Sequence, residues 1–314
     1  MPDFSAHFQT VIPSVFRKVR GITYTRERID TPDGDFLDLD WSKQGNPRLA
    51  VLLHGLEGNA DRAYVRGMVR MLNQEGWDAL ALNFRSCSGE PNRLPRFYHS
   101  GETSDIRFLL NLLGEREEYE EYGLVGFSLG GNVTLKYLGE APEQVMNKLV
   151  CAAAISVPIE LAGASLMIDL PGFNKTVYAG RFLKHLNKKV ASKADILPEN
   201  IVNQAPAHGL RDFDDRYTAP LHGFADGADY YAKSSSLQFL PNIQIPTLLV
   251  NAKNDPFLSE TCFPRKEASD NPYFNLDIPD KGGHVGFWHD GKLSGELYSE
   301  QQVKHFFATK KDLV

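Results

Sequence analysis

Gly126-Phe127-Ser128-Leu129-Gly130 constrains this chain more than any other segment. It follows the apolar run Tyr122-Gly123-Leu124-Val125 and precedes a helix-like stretch from Asn132 to Leu138. That order predicts a strand, a tight turn and a helix with a serine at the apex, its backbone strained and its hydroxyl projecting above a sheet. The flanking glycines have a steric reason, because side chains at 126 and 130 would collide where the strand folds back onto the helix. With 26 glycines in 314 residues, the five-residue pattern is weak by itself, and an idle serine in a glycine-rich turn is the plain alternative. The rest of the chain has to supply the fold and the partners that would give this serine a use.

The length allows one large α/β domain or two ordinary ones. An apolar content of 42% and a charged content of 24% fit a globular chain with a full core. The net charge of −6 argues against a general nucleic-acid surface. No apolar run reaches the 18 residues of a membrane span, and the start Met1-Pro2-Asp3-Phe4-Ser5 lacks the basic and apolar regions of a secretory signal. Cys87, Cys151 and Cys262 are odd in number and far apart, which suits free thiols in a reducing compartment, with the cytoplasm as the expected location. They lack the spacing of a zinc site, so neither a metal nor a cofactor is expected.

Strands and helices alternate along the chain. Residues 22–30 and 36–41 alternate with period two around the turn Thr31-Pro32-Asp33-Gly34-Asp35, an antiparallel hairpin with one wet face. Leu49-Ala50-Val51-Leu52-Leu53 reads as a strand covered on both faces. Residues 61–75 place Tyr64, Val65, Met68, Val69 and Leu72 on one helical stripe, with Gly76 past the end. Strands follow at 77–82, 122–127, 148–155, 246–251 and 273–277, with a helix at 105–113. A final helix carries Val303, Phe306 and Phe307 inward, and Ser299 with Gln302 reads as its capping box. This order predicts a mostly parallel sheet with helices on both sides. Residues 157–242 interrupt the alternation, are too long for a simple crossover, and read as a helical cap inserted between two strands of a single domain spanning 1–314. Within the cap, Val177, Tyr178, Phe182, Leu183 and Leu186 form a helical pattern. Residues 175–193 carry Lys175, Arg181, Lys184, Lys188, Lys189 and Lys193 without an acidic residue. A basic amphipathic helix can lie on an anionic membrane, but the acidic whole favours a solvated helix face over the core.

A serine hydroxyl is a poor nucleophile at neutral pH and needs a base, a group to orient the base, and donors for an oxyanion. In a sheet of this kind the partners follow in the order serine, acid, histidine, each after a strand. Asp255 sits in the loop after Leu248-Leu249-Val250-Asn251, and His284 in the glycine-rich loop after the last strand. Asp277 competes as the acid but falls in the strand, and Asp280 lies close to His284 in sequence. His289 follows Phe287-Trp288, a packing pair, and His305 lies in the terminal helix. For the oxyanion hole the N–H of Leu129, after the serine, and that of Leu56, in His54-Gly55-Leu56-Glu57-Gly58, are the expected donors.

Four motifs give the chain a family resemblance over roughly 20–307. They are His54-Gly55-Leu56-Glu57-Gly58; Asn83-Phe84-Arg85-Ser86-Cys87-Ser88-Gly89-Glu90-Pro91-Asn92-Arg93 with Tyr98-His99-Ser100-Gly101-Glu102-Thr103; Gly126 to Asn132; and Gly282-Gly283-His284-Val285-Gly286-Phe287. Thr218-Ala219-Pro220-Leu221-His222-Gly223-Phe224 and Tyr230-Tyr231 match as well. The chain resembles the YheT-type branch of the α/β hydrolases, related to medium-chain fatty-acid esterases and membrane-anchored lipid hydrolases. The resemblance implies an α/β-hydrolase fold, hydrolysis of a small-molecule carboxylic ester by a serine esterase, and a triad on Ser128, Asp255 and His284. Ser86 departs from the glycine the family usually has there, and the anchored relatives' N-terminal span has no counterpart.

Two other readings compete with hydrolysis. An acyltransferase would use the same triad and pass the acyl group to an alcohol, and a non-catalytic protein of this fold would bind a ligand only. Arg85, Tyr98 and His99 could contact substrate, but a long loop needs internal hydrogen bonds, and a polar network that rigidifies it is the preferred reading. Cys87 is expected to be inert.

Overall fold

Period-two alternation along residues 25–42 makes a hairpin, Thr25–Asp30 (β1) and Phe36–Ser42 (β2), whose register pairs Ile29 with Leu37 and Arg28 with Asp38. In the computed structural model, which describes residues 4–289 and 292–310, β2 joins the rest of the sheet antiparallel to Asp78–Asn83 (β4). From there every pairing is parallel, through Arg48–Leu53 (β3), Glu121–Phe127 (β5), Leu149–Ile155 (β6), Thr247–Val250 (β7) and Phe274–Asp277 (β8). The eight strands lie in the order β1-β2-β4-β3-β5-β6-β7-β8. The expected architecture is therefore observed, with strand boundaries within a few residues of those read from the pattern.

The continuous apolar runs are covered on both faces. Leu49, Val51 and Leu53 of β3 pack with Ile106 and Leu109 of Ser104–Arg116 (α3) and Val133 of Leu129–Glu140 (α4). Ala50 and Leu52 point the other way, into Met68, Val69 and Leu72 of Ala63–Gln74 (α2) and Val303, Phe306 and Phe307 of the terminal helix Tyr298–Thr309. The chain leaves β3 for β4 on one side and returns to β5 on the other. The ends of β3 and β5 thus flank the point where the strand order reverses, which is where open α/β sheets bind ligands.

Between β6 and β7 the chain runs through Leu161–Asp169 (α5), a π-helical turn Asn174–Ala179, Gly180–Ala191 (α6) and several shorter helices. This segment has its own apolar cluster, including Leu183, Leu186, Leu210, Phe213 and Tyr217, into which Leu56 and Phe97 also pack.

Several sequence expectations need correction. The terminal helix does not start with a Ser299–Gln302 box. Its flanking residue is Leu297, whose N–H donates to the Glu300 carboxylate at 3.0 Å. Glu300 is held there by Arg17, at 2.6 and 2.8 Å, in a buried ion pair. The basic segment is not wholly solvated. Lys175, Arg181, Lys184 and Lys188 are exposed, but Lys193 is buried and Lys189 half-buried. Val177, grouped in the helical pattern with Tyr178, Phe182, Leu183 and Leu186, is exposed. The helix Phe4–Phe16 (α1) has no counterpart in the sequence pattern.

Candidate active site

Ser128 stands between the last residue of β5 and the first of α4, with φ +52° and ψ −118°. A non-glycine residue at such a positive φ is strained. Two close approaches enforce the turn. A Cβ on Gly126 would lie 2.3 Å from the Gly130 carbonyl oxygen, and one on Gly130 would lie 2.5 Å from that of Leu53. The Ser128 N–H donates to the Ile155 carbonyl at 2.8 Å, pinning the turn to the neighbouring strand.

The three residues expected to act together do meet. His284 Nε2 lies 2.9 Å from Ser128 Oγ, and His284 Nδ1 lies 2.8 Å from Asp255 Oδ2. Asp255 and His284 are 4% and 6% exposed, so the pair is shielded from water while the serine end opens to a cavity. The other Asp255 oxygen accepts the Phe257 N–H at 2.9 Å, and the Phe257 ring lies against the imidazole with centroids 4.1 Å apart. The competing groups are used elsewhere. Asp277 accepts from the Tyr298 hydroxyl at 2.9 Å, Asp280 pairs with Lys253, His289 stacks on Tyr298, and His305 is exposed.

The His284 loop is positioned by parts of the chain that carry no motif. The His284 N–H donates to Thr10 Oγ1 on α1, and the Val285 N–H donates to Ser156 Oγ, each at 2.9 Å. The Gly282 and Gly283 N–H groups donate to Asn254 Oδ1 at 2.9 and 3.0 Å. α1 crosses this loop so closely that a Cβ on Gly286 would come within 1.7 Å of the Gln9 carbonyl oxygen. Gly283 and Gly286 therefore serve close approach by α1, and Gly282 close approach by Ala252 and Phe287, causes that residue types alone do not reveal.

The turn after β3 is equally constrained. His54 Nε2 accepts the Phe84 N–H at 3.1 Å, so Nδ1 carries the proton and donates to the Gly55 carbonyl at 2.7 Å. Burial pushes His54 down to about 3, keeping it neutral. The Gly55 N–H donates to the Tyr64 hydroxyl, the Glu57 N–H to the Tyr98 hydroxyl, and the Gly58 N–H to the Gly55 carbonyl. Among the described residues, the Leu56 N–H is left without a partner, and Leu56 lines the cavity with Ser128. Leu129 is the first residue of α4, where an N–H has no acceptor inside the helix. The Glu57 carboxylate accepts from the Tyr98 hydroxyl at 2.9 Å and from Lys189 Nζ at 2.6 Å, linking this turn to α6. Lys189 Nζ also lies 3.4 Å from Cys87 Sγ, a buried thiol that burial pushes up to about 11.

The Arg85 loop divides into two parts. Arg85 bonds Asp33, Asp35 and Asp105 and is 2% exposed at its side chain. It does not line the cavity around Ser128, whereas Tyr98 and His99 do. Ser86 has φ +61°, a conformation that suits glycine, and its hydroxyl donates to Asn92 Oδ1 at 2.5 Å and accepts the Asn92 N–H at 3.0 Å.

Two chambers meet at Ser128. One, about 990 Å³ with its mouth included, runs under α5 and α6 past Leu161, Ile168, Phe213 and Tyr230. The other, about 1010 Å³ with its mouth included, runs between α1 and α6 past Val11, Tyr64, Arg181 and His284. Among the described residues no group of side chains is arranged to hold a metal, and no helix is long and apolar enough to cross a membrane.

The alpha/beta hydrolase fold family matches residues 50–290. Over 98% of its length the chain is 36% identical to YheT of Escherichia coli (strain K12), whose name marks it provisionally as an esterase, and it covers 92% of that protein. It is 29% identical to the monoacylglycerol lipase of Saccharomyces cerevisiae over 83% of its own length and 58% of the relative. Among solved structures, the esterase Pf2001 of Pyrococcus furiosus superposes with a TM-score of 0.59 at 20% identity, covering 93% of this chain and 97% of that one. A strained serine at the switch point, the matched family and the near full-length likeness to YheT agree: the chain belongs to the α/β hydrolases, in their YheT-type branch.

Proposed function

We propose that this chain hydrolyses carboxylic esters through an acyl-enzyme formed on Ser128. Ser128 Oγ attacks the ester carbonyl as His284 Nε2 takes its proton. Asp255 holds the imidazole by Nδ1 and stabilises the imidazolium that results. The carbonyl oxygen becomes an oxyanion facing the N–H groups of Leu56 and Leu129, each such donor being worth about 10²–10³ in rate. His284 then protonates the departing alkoxide, and a water activated by the same nitrogen releases the acid and restores Ser128. The observation that carries the reading is the unbroken hydrogen-bonded chain from Ser128 Oγ through His284 to Asp255.

The proton path orients the substrate. The leaving alkoxide has to lie beside His284, and the chamber lined by His284 and Val285 is the one against α1. The acyl chain then enters the other chamber, whose mainly apolar walls suit a short- to medium-chain acyl group. Residues 157–242 act as a cap whose Leu161, Ile168 and Phe213 line the acyl chamber and set acyl fit. Ser128→Ala should lower turnover of p-nitrophenyl butyrate by at least about 10⁴-fold in a folded protein. Near-normal turnover by that variant would overturn the assignment. Added ethanol separates hydrolysis from acyl transfer, with free butyrate as the main product expected here and ethyl butyrate as the contrary result.

A further inference from the structure

The acyl chamber has a polar end. His222 closes the short helix Ala219–His222 and meets His99 edge to face, with ring centroids 4.6 Å apart. Both rings line the chamber that holds Ser128. His99 Nδ1 accepts the Gly101 N–H at 3.1 Å, which leaves the ring proton on Nε2. That nitrogen is 3.7 Å from Glu102 Oε2, beyond hydrogen-bond length. His222 has no hydrogen-bond partner on either ring nitrogen, although both nitrogens are buried. The Tyr230 hydroxyl, at the same end, accepts the Ser100 N–H at 3.0 Å and keeps its own proton to donate. Buried polar atoms are nearly always paired, so an imidazole left unpaired in a substrate chamber requires an explanation.

Charge narrows what could pair with it. Burial pushes His99 down to about 3 and His222 down to about 4, so both rings are neutral near pH 7. The ions that act on the pair are Glu102 and Arg96, which bond each other at 3.2 Å, and, on His99, Lys136, which is paired with Glu140. Nothing here offers net positive charge, which disfavours a phosphate or carboxylate. A neutral imidazole presents one donor and one acceptor, and an alcohol hydroxyl presents the same complement.

We propose that His222, backed by His99, is a specificity-determining site for a hydroxyl group carried on the acyl chain of the ester. This rests on Ser128 being the nucleophile and on the acyl chain occupying this chamber. The hydroxyl of a hydroxyacyl ester pairs one of the two orphan ring nitrogens, whereas an unsubstituted chain leaves both buried and unpaired. Sites of this kind discriminate strongly against the analogue that lacks the hydroxyl.

The test compares kcat/KM for matched esters on the purified full chain. Ethyl 3-hydroxyoctanoate and ethyl 8-hydroxyoctanoate are set against ethyl octanoate, and monooctanoylglycerol against propyl octanoate. The expected result is at least a roughly 10-fold preference for one hydroxyacyl ester. It should fall below about 2-fold in His222→Phe and survive in part in His222→Gln, the readout in each variant being the ratio of kcat/KM for the hydroxyacyl ester to that for ethyl octanoate. Absence of any hydroxyacyl preference in the unsubstituted protein overturns the proposal, whether or not the variants fold. A preference that persists in His222→Phe overturns it as well. A His222-dependent preference confined to the glycerol ester moves the hydroxyl to the alcohol side and overturns the acyl assignment. If the protein hydrolyses none of the esters and a fluorophosphonate leaves Ser128 unmodified, the hydrolase reading itself fails and this proposal falls with it. Hydrolysis of ethyl octanoate without hydroxyl selectivity rejects this proposal alone.

Discussion

Arg85 and His99 come from one stretch of chain between β4 and α3, yet their surroundings differ in kind. Arg85 donates to three carboxylates, with Asp105 bound in a fork at 2.6 and 2.8 Å and Asp33 and Asp35 each at 2.9 Å. Asp35 is satisfied in turn by Asn92 and by the Phe36 and Arg93 N–H groups. The His99–His222 pair leaves two buried ring nitrogens unmatched. A closed polar network stabilises a loop, whereas a buried polar group left unpaired beside a cavity still lacks the partner that a ligand can supply. Family motifs place Arg85 and His99 together, but their hydrogen bonds separate scaffold from site.

Acid should weaken the fold through its buried histidines, with the largest effect. His54, His99 and His222 are held neutral by burial at about 3, 3 and 4 in the folded chain, against about 6.5 when unfolded. Between those values the unfolded chain binds more protons. Stability from these groups is therefore present above pH 6.5 and is lost as pH falls toward 3–4, each group contributing on the order of a few kcal/mol. Urea unfolding at pH 7, 6, 5 and 4 should show a steady decline, less steep in His222→Phe. A flat profile would mean these rings are not held neutral.

Arg85→Met comes next. It leaves Asp35 and Asp105 buried beside an uncharged side chain, and loss of one partner from a buried ion network costs about 3–5 kcal/mol. A loss below about 1 kcal/mol in urea titrations would erase the distinction from the histidine pair. Tyr98→Phe removes the hydroxyl that both accepts the Glu57 N–H and donates to the Glu57 carboxylate. It should cost about 1–2 kcal/mol of stability and lower kcat roughly 10-fold by loosening the Leu56 turn. His222→Phe should be the mildest, within about 1 kcal/mol of the parent, because an apolar ring replaces nitrogens that have no partner to lose.

The same distinction explains what was legible in the sequence. Period and apolar runs reveal strands because burial on two faces demands them, and the serine turn is readable because Gly126 and Gly130 have no room for a side chain. The positions of Asp255 and His284 follow from the ends of β7 and β8. The supports are not readable. α1 has Pro13 inside it and no charged residue in its first or last turn, and it is held by docking on the His284 loop rather than by its own pattern. The start of the terminal helix turns on Glu300, recruited by Arg17 from 283 positions away. Lys189 and Lys193 read as solvated charges because their partners, Glu57 and the carbonyls of residues 94–96, lie about a hundred residues or more away. Local propensity cannot register contacts of that range.

The chemistry placed on Ser128 can be tested in one reaction. The folded chain is treated with a fluorophosphonate and its peptides are mapped by mass. A single adduct on the peptide containing Ser128 is expected, absent in Ser128→Ala and formed much more slowly in His284→Ala. An unmodified Ser128, or an adduct confined to another residue, would contradict the assignment.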